Sequence, residues 1–248
     1  MTMIARFWDK LWKRNFSLYY NLVLPGITGF LYLVMALFVV YPVFRNFSSD
    51  YIGTGEIHGW LWRYWWLKQL ISSAWHDSGS INYFLYILFS VSHLPEAGNM
   101  ADLIFISWPL EWIFSSALAY NLKIILVLIA NGVCGYLLFR YISRNELAGF
   151  LAGTLFAFNP YILSEISTGR IRQAVIFTIP LFLLYFLKML KDDRLWITIL
   201  AGLFLGLTAI IYWYYGMFLV FLCLIYFLYI FFTKERKFLN WLYLRRIF

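Results

Sequence analysis

Six long apolar runs with almost no charge inside them are the feature that most constrains how this chain folds. They lie at roughly 22–44, 120–140, 146–163, 174–190, 195–212 and 216–233 of 248 residues. In a bilayer no water reaches the backbone N–H and C=O groups. A helix of ~20 apolar residues satisfies those groups internally while crossing the hydrocarbon core. A membrane barrel would show short alternating segments instead. Composition agrees: 63% of residues are hydrophobic and 13% charged, where a soluble domain carries about a quarter charged. The expected fold class is all-α, a polytopic transmembrane helical bundle of about six spans. Interfacial or re-entrant helices are expected in the first external loop. Residues 1–248 read as a single transmembrane domain and 45–117 as its extracytoplasmic loop.

Charge sets the orientation. Alternating spans put Arg6, Lys10, Lys13 and Arg14 on one side, together with Arg140, Arg144, Lys188, Lys191 and Arg194 and the tail residues Lys234, Arg236, Lys237, Arg245 and Arg246. The other side holds Arg45, Arg63, Lys68, Arg170 and Arg172, with Lys123 at a boundary. The positive-inside bias then predicts a multi-pass protein of the inner (plasma) membrane with both termini cytoplasmic. The net charge of +8 is read as topology, so no nucleic-acid partner is expected. The basic N-terminal stretch leads into an apolar run too long for a cleaved signal, with no A-x-A site after it, and reads as a signal-anchor. Cys134 and Cys223 lie inside apolar runs and read as small packing residues.

The titratable groups are gathered in one place. Residues 45–117 hold Asp50, Glu56, Asp77, Glu96, Asp102 and Glu111, half of the twelve acids, and all three histidines, His58, His76 and His93. Within this loop, 59–77 predicts an interface-lying helix. Trp60, Tyr64, Leu67, Ile71, Ala74 and Trp75 share one face; Lys68, Gln69, Ser72, Ser73 and His76 share the other. Residues 81–94 and 103–119 are also apolar. They read as re-entrant or interface-lying helices, because the first is short and Pro109 and Glu111 interrupt the second. The alternative, eight spans, would move Glu96 and Asp102 to the cytoplasm. Gly149 with Gly153, and Gly202 with Gly206, form small-xxx-small faces that predict close helix packing.

Two clusters suit chemistry. Asp50 and Glu56 flank the flexible Gly53-Thr54-Gly55, and His58 follows. A carboxylate here fits a general base on an acceptor hydroxyl, or a ligand of a divalent cation. Glu96 and Asp102 form a second acidic group in the same loop. No H-x-x-x-H or H-E-x-x-H spacing occurs, so no metal ligand set is assigned. Arg170 and Arg172 in the second external loop run against the positive-inside trend and suit a phosphate, whose oxygens guanidinium binds bidentately. Tyr212, Trp213, Tyr214 and Tyr215 form the last external turn, as belt residues or as a stacking surface for a sugar ring. No acid or base lies mid-span, which disfavours an ion-coupled transporter.

In order along the chain stand a span, a long loop with an early acid, GEIHGWLWRYWW, LPEAG, AYNL, AGFLAGTLFAFNPYI, GRIRQ and a WYYG turn. That order resembles the N-terminal half of the GT-C-type integral-membrane glycosyltransferases, over most of residues 22–216. The resemblance implies a polyprenyl-phosphate sugar donor drawn from the membrane lipid. It implies a catalytic carboxylate early in the first loop, which matches Glu56, with Asp50 as the alternative. Many members of the family carry Asp at that position, whereas this chain has Glu. His58, Glu96 and Asp102 are then substrate-binding candidates, as are Arg170, Arg172 and Gln173 of the GRIRQ loop. Family members are much longer, so the expectation is an N-terminal module of a longer or split protein, with a protein partner completing the fold. Two further hypotheses stand beside this one: a non-catalytic membrane subunit of an envelope-assembly or export complex, and a lipid-linked-sugar transporter.

Overall fold

The structure is a computed structural model that describes residues 23–74, 78–89, 107–192 and 194–232. Every regular element among them is a helix. Helix α1 (Leu24–Val40) runs into a 3-10 turn, Tyr41–Asn46. The first loop contains α2 (Ile57–Ala74), α3 (Ser78–Phe89) and the short α4 (Trp108–Glu111). Then follow α5 (Ser116–Ser143), α6 (Glu146–Ala157), α7 (Pro160–Ser167), α8 (Ile171–Ala174), α9 (Thr178–Met189), α10 (Leu195–Ile211) and α11 (Trp213–Phe232).

Five segments are long and apolar enough to cross a membrane: Leu24–Asn46, Ser116–Ser143, Glu146–Ser167, Ile171–Met189 and Trp213–Phe232. The sixth expected span, Leu195–Ile211, is apolar but has 17 residues. At 1.5 Å rise per residue it covers ~26 Å, slightly less than the ~30 Å hydrocarbon core. This is an all-α polytopic helical bundle, as the apolar runs predict. The Trp-rich helix forms close to its expected place and is 18 residues long, yet it is not apolar enough to count among the candidate spans. Helix α3, at 12 residues, is too short to cross.

Helix α5 is central, touching α1, α6 and α9; α9 touches α10, and α10 touches α11. The tightest seam joins α5 to α6, where glycines remove side chains from both surfaces. A Cβ on Gly135 would stand 3.1 Å from the Gly153 Cα, and one on Gly149 would stand 3.0 Å from the Arg140 Cβ. Tyr32 of α1 fills the remaining space. Its ring stacks on Phe150 at 5.5 Å and its hydroxyl donates to the Phe150 carbonyl at 2.9 Å. A Cβ on Gly132 would collide with that ring. The Gly149/Gly153 face therefore packs inside the chain, as expected. The Gly202/Gly206 face does not: nothing lies within 4 Å of a Cβ built at either position. Contact between α10 and α11 instead uses Gly216, which sits against Ala209.

Two spans are broken, and each break has a polar side chain that satisfies it. The residue before a proline is pushed out of helical geometry, and Asn159-Pro160 separates α6 from α7. Asn159 caps α7 by accepting from the Ile162 N–H at 3.0 Å. Between α8 and α9, the fully buried Asn131 of α5 donates to the Ala174 carbonyl at 2.8 Å and accepts from the Ile176 N–H at 3.2 Å. It thereby satisfies backbone groups that the break would leave unpaired in a dry interior.

The hydrophobic core is off-centre. It gathers Ala36 and Val40 of α1, Ile52 and Ile57 of the first loop, Tyr120, Ile124 and Leu128 of α5, Ile162 and Ile166 of α7, and Ile171 and Ala174 of α8. It lies beneath one end of the bundle, where the first loop meets the α7–α8 turn.

Candidate functional site

At that end, Asn121 organises the first loop. Fully buried in the second turn of α5, it accepts from the Ile52 N–H at 3.0 Å. Its amide donates to the Phe47 and Asp50 carbonyls at 2.8 and 2.7 Å. Ser115, the N-cap of α5, adds a bond to the Ser48 carbonyl at 2.9 Å. Asp50 closes this turn: its N–H donates to the Asn46 carbonyl, and its carboxylate accepts from the Asn46 amide at 2.9 Å.

The Gly53-Thr54-Gly55 segment, expected to be flexible, is tied down. The Thr54 N–H donates to the Ser167 carbonyl at 2.8 Å and the Glu56 N–H to the Thr168 carbonyl at 3.1 Å. Glycine is required on both sides of this crossing. Gly53 has φ +120° and Gly169 φ +81°, and a Cβ on Gly169 would stand 2.7 Å from the Ile57 nitrogen.

The crossing brings the early acid to the GRIRQ loop. An Arg170 terminal nitrogen lies 3.7 Å from a Glu56 carboxylate oxygen. On its other side, Arg170 Nε lies 2.8 Å from Glu165 Oε2 and Nη2 donates to Glu165 Oε1 at 3.3 Å. Nε also donates to the Thr168 hydroxyl at 3.2 Å. The two carboxylates differ in exposure: 68% of the Glu56 side chain is open and 6% of Glu165. Glu165 fixes the guanidinium from below, and Glu56 meets it at the surface.

Arg172 has a different setting. Its guanidinium donates to the Ile211 carbonyl at 3.0 Å, at the C-terminus of α10, where a cation complements the helix dipole. Gln173 offers its backbone carbonyl to the Tyr215 hydroxyl at 2.9 Å, and that hydroxyl pairs with Tyr161 at 2.7 Å. The WYYG turn is thus bonded to the α7–α8 loop. Burial first, then the neighbouring Tyr161, holds the Tyr212 phenol above its ordinary range. His58 is exposed at the start of α2. Glu96 and Asp102 lie outside the described residues, as do His76, Asp77 and His93.

Beside the site, α2 packs against the residues leading into α5. Lys68 is ion-paired to Glu111, and the two line a cavity of about 230 Å³ with Tyr51, Trp65 and Tyr120. Burial, and then the Glu111 carboxylate, raises the Tyr51 phenol above its usual value. Lys123, placed at a boundary by the charge pattern, is 1% exposed and lies 5.4 Å from the Tyr120 ring.

Sequence reasoning missed Glu165, Asn121 and Asn131. Each carried a signal, being a polar residue in or beside an apolar run, which must find a partner when buried. Among the described residues, no three His, Cys, Asp or Glu side chains come together as a metal site, and Arg170 stands between the two carboxylates. Glu56 and Glu165, with Arg170 between them, do not by themselves make a divalent-cation site; they offer an exposed carboxylate beside a fixed guanidinium. Comparison with family models, with curated proteins and with solved structures finds no match.

Proposed function

We propose that this chain is a membrane glycosyltransferase of the GT-C kind, or its N-terminal module. It transfers a sugar from a polyprenyl-phosphate donor to an acceptor hydroxyl on the extracytoplasmic face. The observation that carries the reading is the crossing of the first loop over the α7–α8 turn, which sets the exposed Glu56 against Arg170. Sidedness is inferred from the opposite end of the bundle, where Arg140, Arg144, Lys188, Lys191 and Arg194 gather. That bias makes the opposite end cytoplasmic, with both termini there, in the inner (plasma) membrane.

In this reading Glu56 accepts the proton of the acceptor hydroxyl as its oxygen bonds the sugar's anomeric carbon. The bond from that carbon to the phosphate oxygen breaks, and the polyprenyl phosphate leaves with the electron pair. Arg170 neutralises the charge that develops on it. Glu165 keeps the guanidinium in place. Arg172, through its guanidinium on the Ile211 carbonyl, and Gln173, through its own backbone carbonyl, shape the loop.

The test is transfer of labelled sugar from a panel of polyprenyl-phosphate sugars to native membrane acceptors, by wild type, Glu56→Gln and Asp50→Asn. Wild type and Asp50→Asn are expected to form labelled product and release polyprenyl phosphate, while Glu56→Gln inserts normally and forms none. Near-normal transfer by Glu56→Gln would sink the assignment. Labelled donor that crosses the vesicle wall unchanged would support the transporter reading instead. The open Gly202/Gly206 face favours the subunit reading. Under it, Gly202→Leu with Gly206→Leu would abolish co-purification of a partner, and Glu56→Gln would change nothing.

A further inference from the structure

The end of the bundle away from Glu56 holds a cavity of about 710 Å³ between the C-termini of α5 and α9. Arg140, Arg144, Lys188 and Lys191 line it, with Tyr141 and a wall of leucines, Leu137, Leu184 and Leu187. We propose that this cavity binds the phosphate headgroup of an anionic membrane lipid, with an acyl chain running along the leucine wall.

Three observations lead there. The cations are unevenly matched: Arg140 pairs with Glu146 at 2.7 Å, but no carboxylate among the described residues lies within ion-pairing distance of Arg144, Lys188 or Lys191. The ammonium groups of Lys188 and Lys191 face the same ring, that of Tyr141, at 5.6 and 5.5 Å. Such contacts are attractive, yet two like charges over one ring repel each other, and a phosphate between them would reverse the sign.

Lys188 lies in the last turn of α9 and complements its dipole, but among the described residues neither lysine donates to a helix-end carbonyl. Several carbonyls near the ends of α5 and α9 already have donors. Arg140 O accepts from the Arg144 N–H, Phe139 O from the Ser143 hydroxyl, Phe186 O from the Leu190 N–H, and Lys188 O from the Lys191 and Asp192 N–H groups. The size suits a headgroup. Basic pockets between spans at a cytoplasmic face are where anionic headgroups bind. The leucine wall favours a lipid over free phosphate, because an acyl chain covers it and an inorganic ion would leave it bare.

Native mass spectrometry of the delipidated full chain tests this, with phosphatidylglycerol, phosphatidylcholine or inorganic phosphate added separately. Wild type is expected to retain phosphatidylglycerol and not phosphatidylcholine. Lys188→Gln/Lys191→Gln is expected to bind phosphatidylglycerol roughly thirty-fold more weakly. Arg144→Asn, which keeps a residue tolerant of the φ 55° at that position, is expected to weaken binding about five-fold. Equal retention by wild type and both variants overturns the proposal, as does retention of phosphatidylcholine. Displacement of the lipid by millimolar inorganic phosphate would assign the site to free phosphate and overturn it too. None of these outcomes depends on Glu56 or on sugar transfer.

Discussion

At one end of the bundle Arg170 is shared between Glu56 and Glu165, and the backbone of one loop is bonded to that of another. At the other end Lys188 and Lys191 look onto a phenol ring with no described carboxylate in reach. The first end is closed on itself over the core; the second waits for an anion. Preorganised, internally paired charge is what a reaction centre needs, since it costs no reorganisation during the chemical step. Unpaired charge around an open cavity is what a binding site needs. The two ends differ less in composition than in how much of their electrostatics the chain satisfies itself.

The contrast can be broken most directly at Gly169. Gly169→Ala places a side chain at φ +81° and pushes its methyl into Ile57. The expected cost is about 3 kcal/mol or more, with loss of protection at the Thr54 and Glu56 amides in hydrogen exchange. Amides that stay protected would show that the crossing accommodates a methyl. Next comes the shared guanidinium. Arg170→Gln leaves the buried Glu165 without its cation, for about 3 kcal/mol. The Glu165→Gln/Arg170→Gln double variant should recover about half of that in thermal unfolding, and purely additive losses would deny the coupling. Arg172→Leu should cost about 2 kcal/mol, the usual range for a charge-assisted hydrogen bond to a carbonyl, without altering amide protection at Thr54. The smallest effect belongs to the basic end. Lys188→Gln/Lys191→Gln in lipid-free detergent should change stability by less than about 0.5 kcal/mol, because no ion pair among the described residues is lost. A large loss there would mean that the two ends are built alike.

The spans were legible because a bilayer demands long apolar runs, and composition alone reports them. The Trp-rich helix was legible too, from its spacing. The site was half legible. Glu56 and Arg170 stood out as an acid in a loop and a cation on the unexpected side. Their meeting depends on Gly53 and Gly169, more than a hundred residues apart, and nothing local marks that pair. The two small-xxx-small faces look alike in sequence and end differently, because only Gly149 and Gly153 meet a partner helix bearing glycines of its own, at Gly132 and Gly135. Periodicity reports which side of a helix is smooth and says nothing of what comes to lie against it.

The long separation of the crossing has a consequence for how the protein is made. Thr54 bonds to Ser167, 113 residues further along the chain. At ~5–20 residues per second of synthesis, the first loop waits roughly 6–23 s after leaving the ribosome before its docking partner exists. Helix α5 and the Glu146–Ser167 span are made during that wait, while Glu56 still lacks Arg170. The site can therefore be assembled only late, after the segment that carries Ser167 has been made. A translation product halted before Gly169 would be membrane-bound and helical, with no site at all.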